Sequence, residues 1–151
     1  MNEFIYSVKE IFVGVLEDKQ IVQYYIPPYQ RGYKWDSSSR FDQVPQMLID
    51  VYYAFVQKTE EYYLQYITVK KKEKKGKMYF EVIDGQQRLT TISLMLYRYF
   101  KGTPDDNIAK EKVSYSRYDT NVFDWVNQEI SSIDVDAIES QDKSYMIRAA
   151  K

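Results

Sequence analysis

A chain of 151 residues, 44% hydrophobic and 28% charged, has the size and balance of a soluble globular domain with its own core. It contains no cysteine, which excludes disulfides, thiolate nucleophiles and zinc-thiolate sites, and no histidine, which removes the commonest general base and transition-metal ligand. The net charge of −1 conceals two opposite runs: "KKKEKKGK" at 70–77 sets six lysines against Glu73, while 119–142 carries seven acids and no Lys or Arg.

No apolar run approaches the roughly 20 residues needed to span a bilayer. The opening "MNEFIYSVKEIF" lacks the basic segment, apolar core and cleavage site of a secretory signal, so a cytoplasmic location without a membrane partner is expected.

Helical spacing of Val8, Ile11, Phe12, Val15 and Leu16 predicts a first helix over about 6–17. "QIVQYYIPP" is β-branched and aromatic, and predicts a strand stopping at Pro27. Serines 37–39 offer N-caps for a second helix with Val44, Met47, Leu48, Val51 and Phe55 on one face and Pro45 near its first turn. "EYYLQYITVK", a lysine-rich turn at Gly76 and "MYFEVI" predict a β-hairpin. The lysines then form a solvated tip that discourages edge pairing, or a contact for a phosphate backbone. A third helix ends at "GTPDD" from Gly102, another helical segment is expected near 120–130, and "SYMIRAAK" reads as a helix beginning as the chain ends. The expected organisation is one domain over 1–104 and a helical extension over 105–151, the start of a further region in a longer protein.

"VIDGQQRLTT", residues 82–91, joins the hairpin to the third helix. Asp84 followed by Gln87 matches a capping box, Gly85 permits a tight turn, and Leu89, Ile92, Leu96 and Tyr99 give the helix a buried stripe. Free N–H groups from Gly85 to Arg88 would then lie at a positive helix end, where Arg88 is disfavoured by the helix dipole. An anion bound there removes the conflict, because helix N-termini accept phosphate and Arg adds a bidentate fork. The alternative is an ordinary capped helix whose Arg88 pairs with a carboxylate.

A second constellation, "IPPYQRGYKW" at 26–35, gathers Tyr29, Gln30, Arg31, Tyr33 and Trp35 on a proline-stiffened loop turned at Gly32. Aromatics beside an Arg suit a base and its phosphate; alternatively Tyr33 and Trp35 plug the core edge and Arg31 makes a structural ion pair. Two Gln-Arg pairs, Gln30-Arg31 and Gln87-Arg88, both at strand exits, favour a shared anionic ligand.

"IPPYQRGYKW", "YYLQYITV" and "FEVIDGQQRLTTISLML" together resemble the N-terminal domain of GmrSD-type restriction endonucleases, a bacterial family placed with the ParB/sulfiredoxin-like fold, over about residues 5–100. The resemblance implies an α+β core with a small mixed sheet, a hairpin and surrounding helices. It further implies a nucleotide-binding or NTPase domain, sensing or regulatory, in a phage-defence system that acts on foreign or modified DNA with a C-terminal nuclease domain or partner subunit.

On that expectation Gln30, Arg31, Gly85, Gln86, Gln87, Arg88 and Thr90 hold the phosphates of an NTP, and Tyr29, Tyr33 or Trp35 contact base or sugar. Asp84, Gln87 and Arg88 are the catalytic candidates, with Asp84 also the candidate ligand for Mg²⁺ and Gln86 or Gln87 orienting water. Two departures stand out: Gly32 replaces a frequent proline, and Gln65 replaces a usual glycine. Rival readings are a non-enzymatic module for DNA phosphate or modified bases, a ParB-like metal-dependent nuclease, and a scaffold that uses the acidic 119–142 segment as its contact face.

Overall fold

The computed structural model describes residues 5–14, 21–104, 112–118 and 141–151. The β-branched and aromatic run "IVQYYI" forms strand β1 (Ile21–Ile26), which stops before Pro27 as expected. Helix α1 (Gln43–Val56) follows, then strands β2 (Thr68–Lys74) and β3 (Lys77–Asp84), helix α2 (Gln86–Phe100), strand β4 (Val113–Tyr115) and helix α3 (Gln141–Ala150). The strands make one mixed sheet in the order β2-β3-β1-β4, with β1 parallel to β3 and β4, and β2 antiparallel to β3. The architecture is therefore α+β.

Lys75 and Gly76, both at positive φ, make the two-residue turn between β2 and β3 whose twist matches antiparallel strands. The lysine run occupies both sides of this turn, and most of it lies on β2, an edge strand where charge blocks unwanted pairing. Pairing begins only at Thr68, not near residue 61, because Gln65 at φ 67 leaves the extended region.

One face of the sheet carries the core. Tyr24 and Ile26 of β1, Phe80 and Val82 of β3, and Val113 and Tyr115 of β4 pack with Leu89, Ile92, Leu94 and Tyr97 of α2 and with Met146, Ile147 and Ala150 of α3. Residues of 112–118 and 141–151 pack into this core. Beyond 105 only helix was expected; Val113–Tyr115 is instead a strand, drawn into the sheet by pairing with β1.

Three further expectations are corrected. The chain near the N-terminus is helical from residue 8, but Glu10–Gly14 winds as a π-helix; positions 15–17 lie outside the described residues, as does the helix expected near 120–130. The serines do not cap α1: Asp42 is its N-cap, and the backbone N–H groups of Ser37 and Ser38 donate to Asp36 Oδ1 at 2.7 and 3.1 Å. Of the apolar stripe on α1 only Val44 and Met47 are buried; Leu48, Val51 and Phe55 are exposed, Phe55 at 81%. No described helix is long and apolar enough to cross a membrane.

Candidate functional site

Strand β3 carries the chain to Asp84, and Gly85 at φ 85, ψ 12 turns it into α2. A Cβ at Gly85 would lie 3.0 Å from Ile67 Cγ1 and 3.2 Å from the Tyr66 carbonyl oxygen, so glycine both adopts the left-handed turn and admits the 66–67 segment. The expected capping box is not formed. Gly85 is the N-cap without a side-chain capping bond, because Asp84 is still paired with Thr68 in the sheet and Gln87 is turned elsewhere.

Gln87 holds the 32–35 loop. Its Oε1 accepts from Lys34 N at 2.7 Å and from Trp35 N at 3.3 Å, and its Nε2 donates to the Gly32 carbonyl at 2.9 Å. Gln87 is 5% exposed; its bond to the Gly32 carbonyl is buried and those from the Lys34 and Trp35 amides are partly so, and each engages a backbone group that water would reach only in part. Two residues back along the loop, Gln30 Nε2 donates to the Ile83 carbonyl at 2.8 Å. The loop is thus tied to the end of β3 at residue 30 and to the start of α2 at residue 32, and Arg31 lies between the ties. Arg31 is exposed and has no hydrogen bond or ion pair among the described residues.

The first bond within α2 runs from Leu89 N–H to the Gly85 carbonyl at 2.9 Å, so the N–H groups of Gln86, Gln87 and Arg88 precede the helical ladder. Gln86 is 5% exposed, and its Oε1 has no hydrogen-bond partner among the described residues. Arg88 donates from Nη1 to the Tyr66 carbonyl at 3.0 Å and from Nη2 to Gln65 Oε1 at 2.7 Å. Both acceptors are neutral, so its charge is unbalanced by any carboxylate among the described residues. Asp84 is exposed at the same turn. No three acids cluster in a way that could hold a metal among the described residues, so a divalent ion held there needs oxygens from elsewhere, such as phosphates.

The remaining site candidates are spread differently. Thr90 is buried with its hydroxyl 2.7 Å from Tyr115 Oη. Thr91 donates to the Gln87 carbonyl at 2.9 Å, so Tyr33 is the donor in its 2.7 Å bond to Thr91. Burial holds the Tyr33 and Tyr115 hydroxyls well above the ordinary tyrosine range, and both remain protonated. Tyr33 is 0% exposed and is a core residue; Trp35 packs against the core from its margin. Tyr29 is exposed, but its hydroxyl donates to Glu81 Oε1 at 3.3 Å on the sheet, away from α2.

Asp142, in the first turn of α3, was not singled out by the sequence. Its carboxylate meets Lys34 Nζ at 2.9 Å and Arg117 Nη1 at 3.6 Å and accepts from Tyr118 Oη at 2.8 Å. It also covers Gly32, where an added Cβ would fall 1.7 Å from Oδ2. Burial and the hydrogen bond to Asp142 raise the Tyr118 hydroxyl above its ordinary range. No local signal announces this cluster, since its members come from three separate stretches of chain.

The family model described as GmrSD restriction endonuclease, N-terminal domain, matches residues 11–149. No curated protein matches the chain.

Proposed function

The chain belongs to the family of GmrSD restriction endonuclease N-terminal domains, and from that membership we propose that it is the nucleotide-binding, sensing component of a restriction-type defence protein. The observation that carries the proposal is the double tie that sets Arg31 between Gln30–Ile83 and Gln87–Gly32, bringing both Gln-Arg elements to one strand-to-helix turn.

The leading N–H groups of α2, together with Arg88 and Arg31, neither of which meets a carboxylate among the described residues, suit a phosphate chain. Gln87 shapes the loop through its backbone bonds, so its side chain is committed to the protein and the phosphate contacts fall to the arginines and the leading amides. Mg²⁺ bound with a nucleotide would be held by Asp84 and the phosphates, and would supply charge neutralisation. Arg31 brings positive charge without a competing partner among the described residues, so its contribution goes to the ligand. Defence against foreign or modified DNA follows as the role of the whole assembly, with this part reporting nucleotide state.

The test is thermal unfolding of the chain with ATP, GTP, CTP and UTP, each with and without Mg²⁺, in the unaltered protein and in Arg31→Ala. One nucleotide should raise the midpoint, since a ligand at 100 times its Kd adds about 2.7 kcal/mol to the folded state. Arg31→Ala should unfold at an unchanged temperature alone and lose most of that shift. An equal shift in both proteins, or none with any nucleotide, would overturn the assignment.

A further inference from the structure

The sheet has a second face. Antiparallel pairing sets Lys70 opposite Glu81, Lys72 opposite Tyr79, and Lys74 opposite Lys77, so alternation puts all four lysines on the side away from Phe80 and Val82. Tyr25 of β1, beside Glu81 in register, lies on the same side and meets Tyr79 edge-on with ring centroids 5.5 Å apart. Tyr25 and Tyr79 are half-buried and belong neither to the core nor to the residues packed on it. Each described helix contributes instead to the core on the opposite face. Tyr29, 67% exposed, joins this side through its bond to Glu81.

We propose that this face, uncovered by any helix among the described residues, binds single-stranded nucleic acid, the lysines taking phosphates and the tyrosines stacking bases. Charge argues for a polyanion. Glu81 is paired with Lys72 at 3.5 Å, whereas Lys70, Lys74 and Lys77 are exposed without an ion pair among the described residues. Lys74 and Lys77 face each other across the strands, a like-charge pairing that opposes hairpin formation and that a bound phosphate relieves. Edge protection alone needs lysines along β2; it does not need Lys77 on the inner strand or aromatic rings beside it. The rings select the strand form, because a duplex keeps its base faces covered while a single strand offers them for stacking. This face is separate from the start of α2, and the inference does not depend on nucleotide binding there.

Fluorescence anisotropy with a labelled oligothymidine of about 12 nucleotides, titrated over a series of salt concentrations, tests the proposal. Occupancy of three phosphates by Lys70, Lys74 and Lys77 should give a log–log salt slope of about −2, at roughly −0.7 per phosphate for single strands. Exchanging Lys70, Lys72, Lys74 and Lys77 together for Gln should weaken binding more than tenfold and flatten the slope, while the matching Arg exchanges keep both. Single exchanges at Lys70, Lys74 or Lys77 serve if the fourfold Gln variant does not fold. Tyr79→Leu should cost the single strand about tenfold and a duplex of equal length nothing. Equal affinity of the Gln and unaltered proteins, or a duplex or anionic vesicles bound as well as the single strand, would overturn it.

Discussion

Gln87 and Lys34 are separated by 53 positions in the chain, yet a 2.7 Å bond from the Lys34 amide to the Gln87 side chain fixes the loop after β1 on the first turn of α2. Replacing Gln87 by Ala leaves the Lys34 and Trp35 amides and the Gly32 carbonyl to find other partners. The expected loss is about 2–3 kcal/mol, from a typical penalty of roughly 1–3 kcal/mol per buried unsatisfied group with partial solvent relief. Chemical denaturation should read this directly. Gln87→Glu should also destabilise at neutral pH, since a carboxylate cannot donate to the Gly32 carbonyl; a stability equal to the unaltered protein would remove Gln87 from its role as the clamp.

Gly32 and Asp142 form a second long-range pair. Gly32→Ala displaces the Asp142 carboxylate and with it the contacts to Lys34 and Tyr118. We expect a cost of about 1–3 kcal/mol, the range for overpacking a closed site. Because both changes remove the same contacts, Asp142→Ala should cost less in the Gly32→Ala background than in the unaltered chain. Strict additivity in a double-mutant cycle would contradict the packing of Asp142 on Gly32.

Gln65 sits at φ 67, where the family resemblance places glycine. Gln65→Gly relieves a left-handed strain of roughly 1–2 kcal/mol and gives up one exposed bond to Arg88, worth less. The variant should therefore gain about 0.5 kcal/mol, the difference between those two terms. A lower melting temperature would mean that Gln65 contributes mainly by anchoring Arg88.

Asp36 gives the chain an acid-sensitive joint. Burial acts to raise its pKa, but the Ser38 hydroxyl, the Ser37 and Ser38 amides and Arg148 outweigh it, so the carboxyl titrates below its ordinary 3.8. The sign follows from the depressed folded-state value: the stabilisation is complete above the unfolded value and is lost as pH falls through the lower folded one. Stability should decline below about pH 4, and Asp36→Asn should flatten that limb while losing roughly 1 kcal/mol at pH 7. An acid limb of unchanged steepness in Asp36→Asn would assign it to other carboxylates.

Local chemistry determined much of this protein. Pro27 ends β1, the Lys75-Gly76 turn closes the hairpin, Gly85 starts α2 and Gly102 follows its end; each acts within a few residues through allowed backbone angles. The two Gln-Arg elements were legible as short motifs for the same reason. Tertiary structure decided what their side chains touch. Helical spacing correctly grouped Val44, Met47, Leu48, Val51 and Phe55, but a period states only which residues share a side, and the core reaches just two of them. Asp84 and Gln87 had the spacing of a cap, yet sheet pairing holds one and the loop backbone takes the other. Val113–Tyr115 is a strand because β1 offers it an edge, and Asp142 matters because α3 lays it on Gly32. Spacing along the chain fixes local geometry; hydrogen-bond partners and burial depend on distant segments that meet only when the core forms.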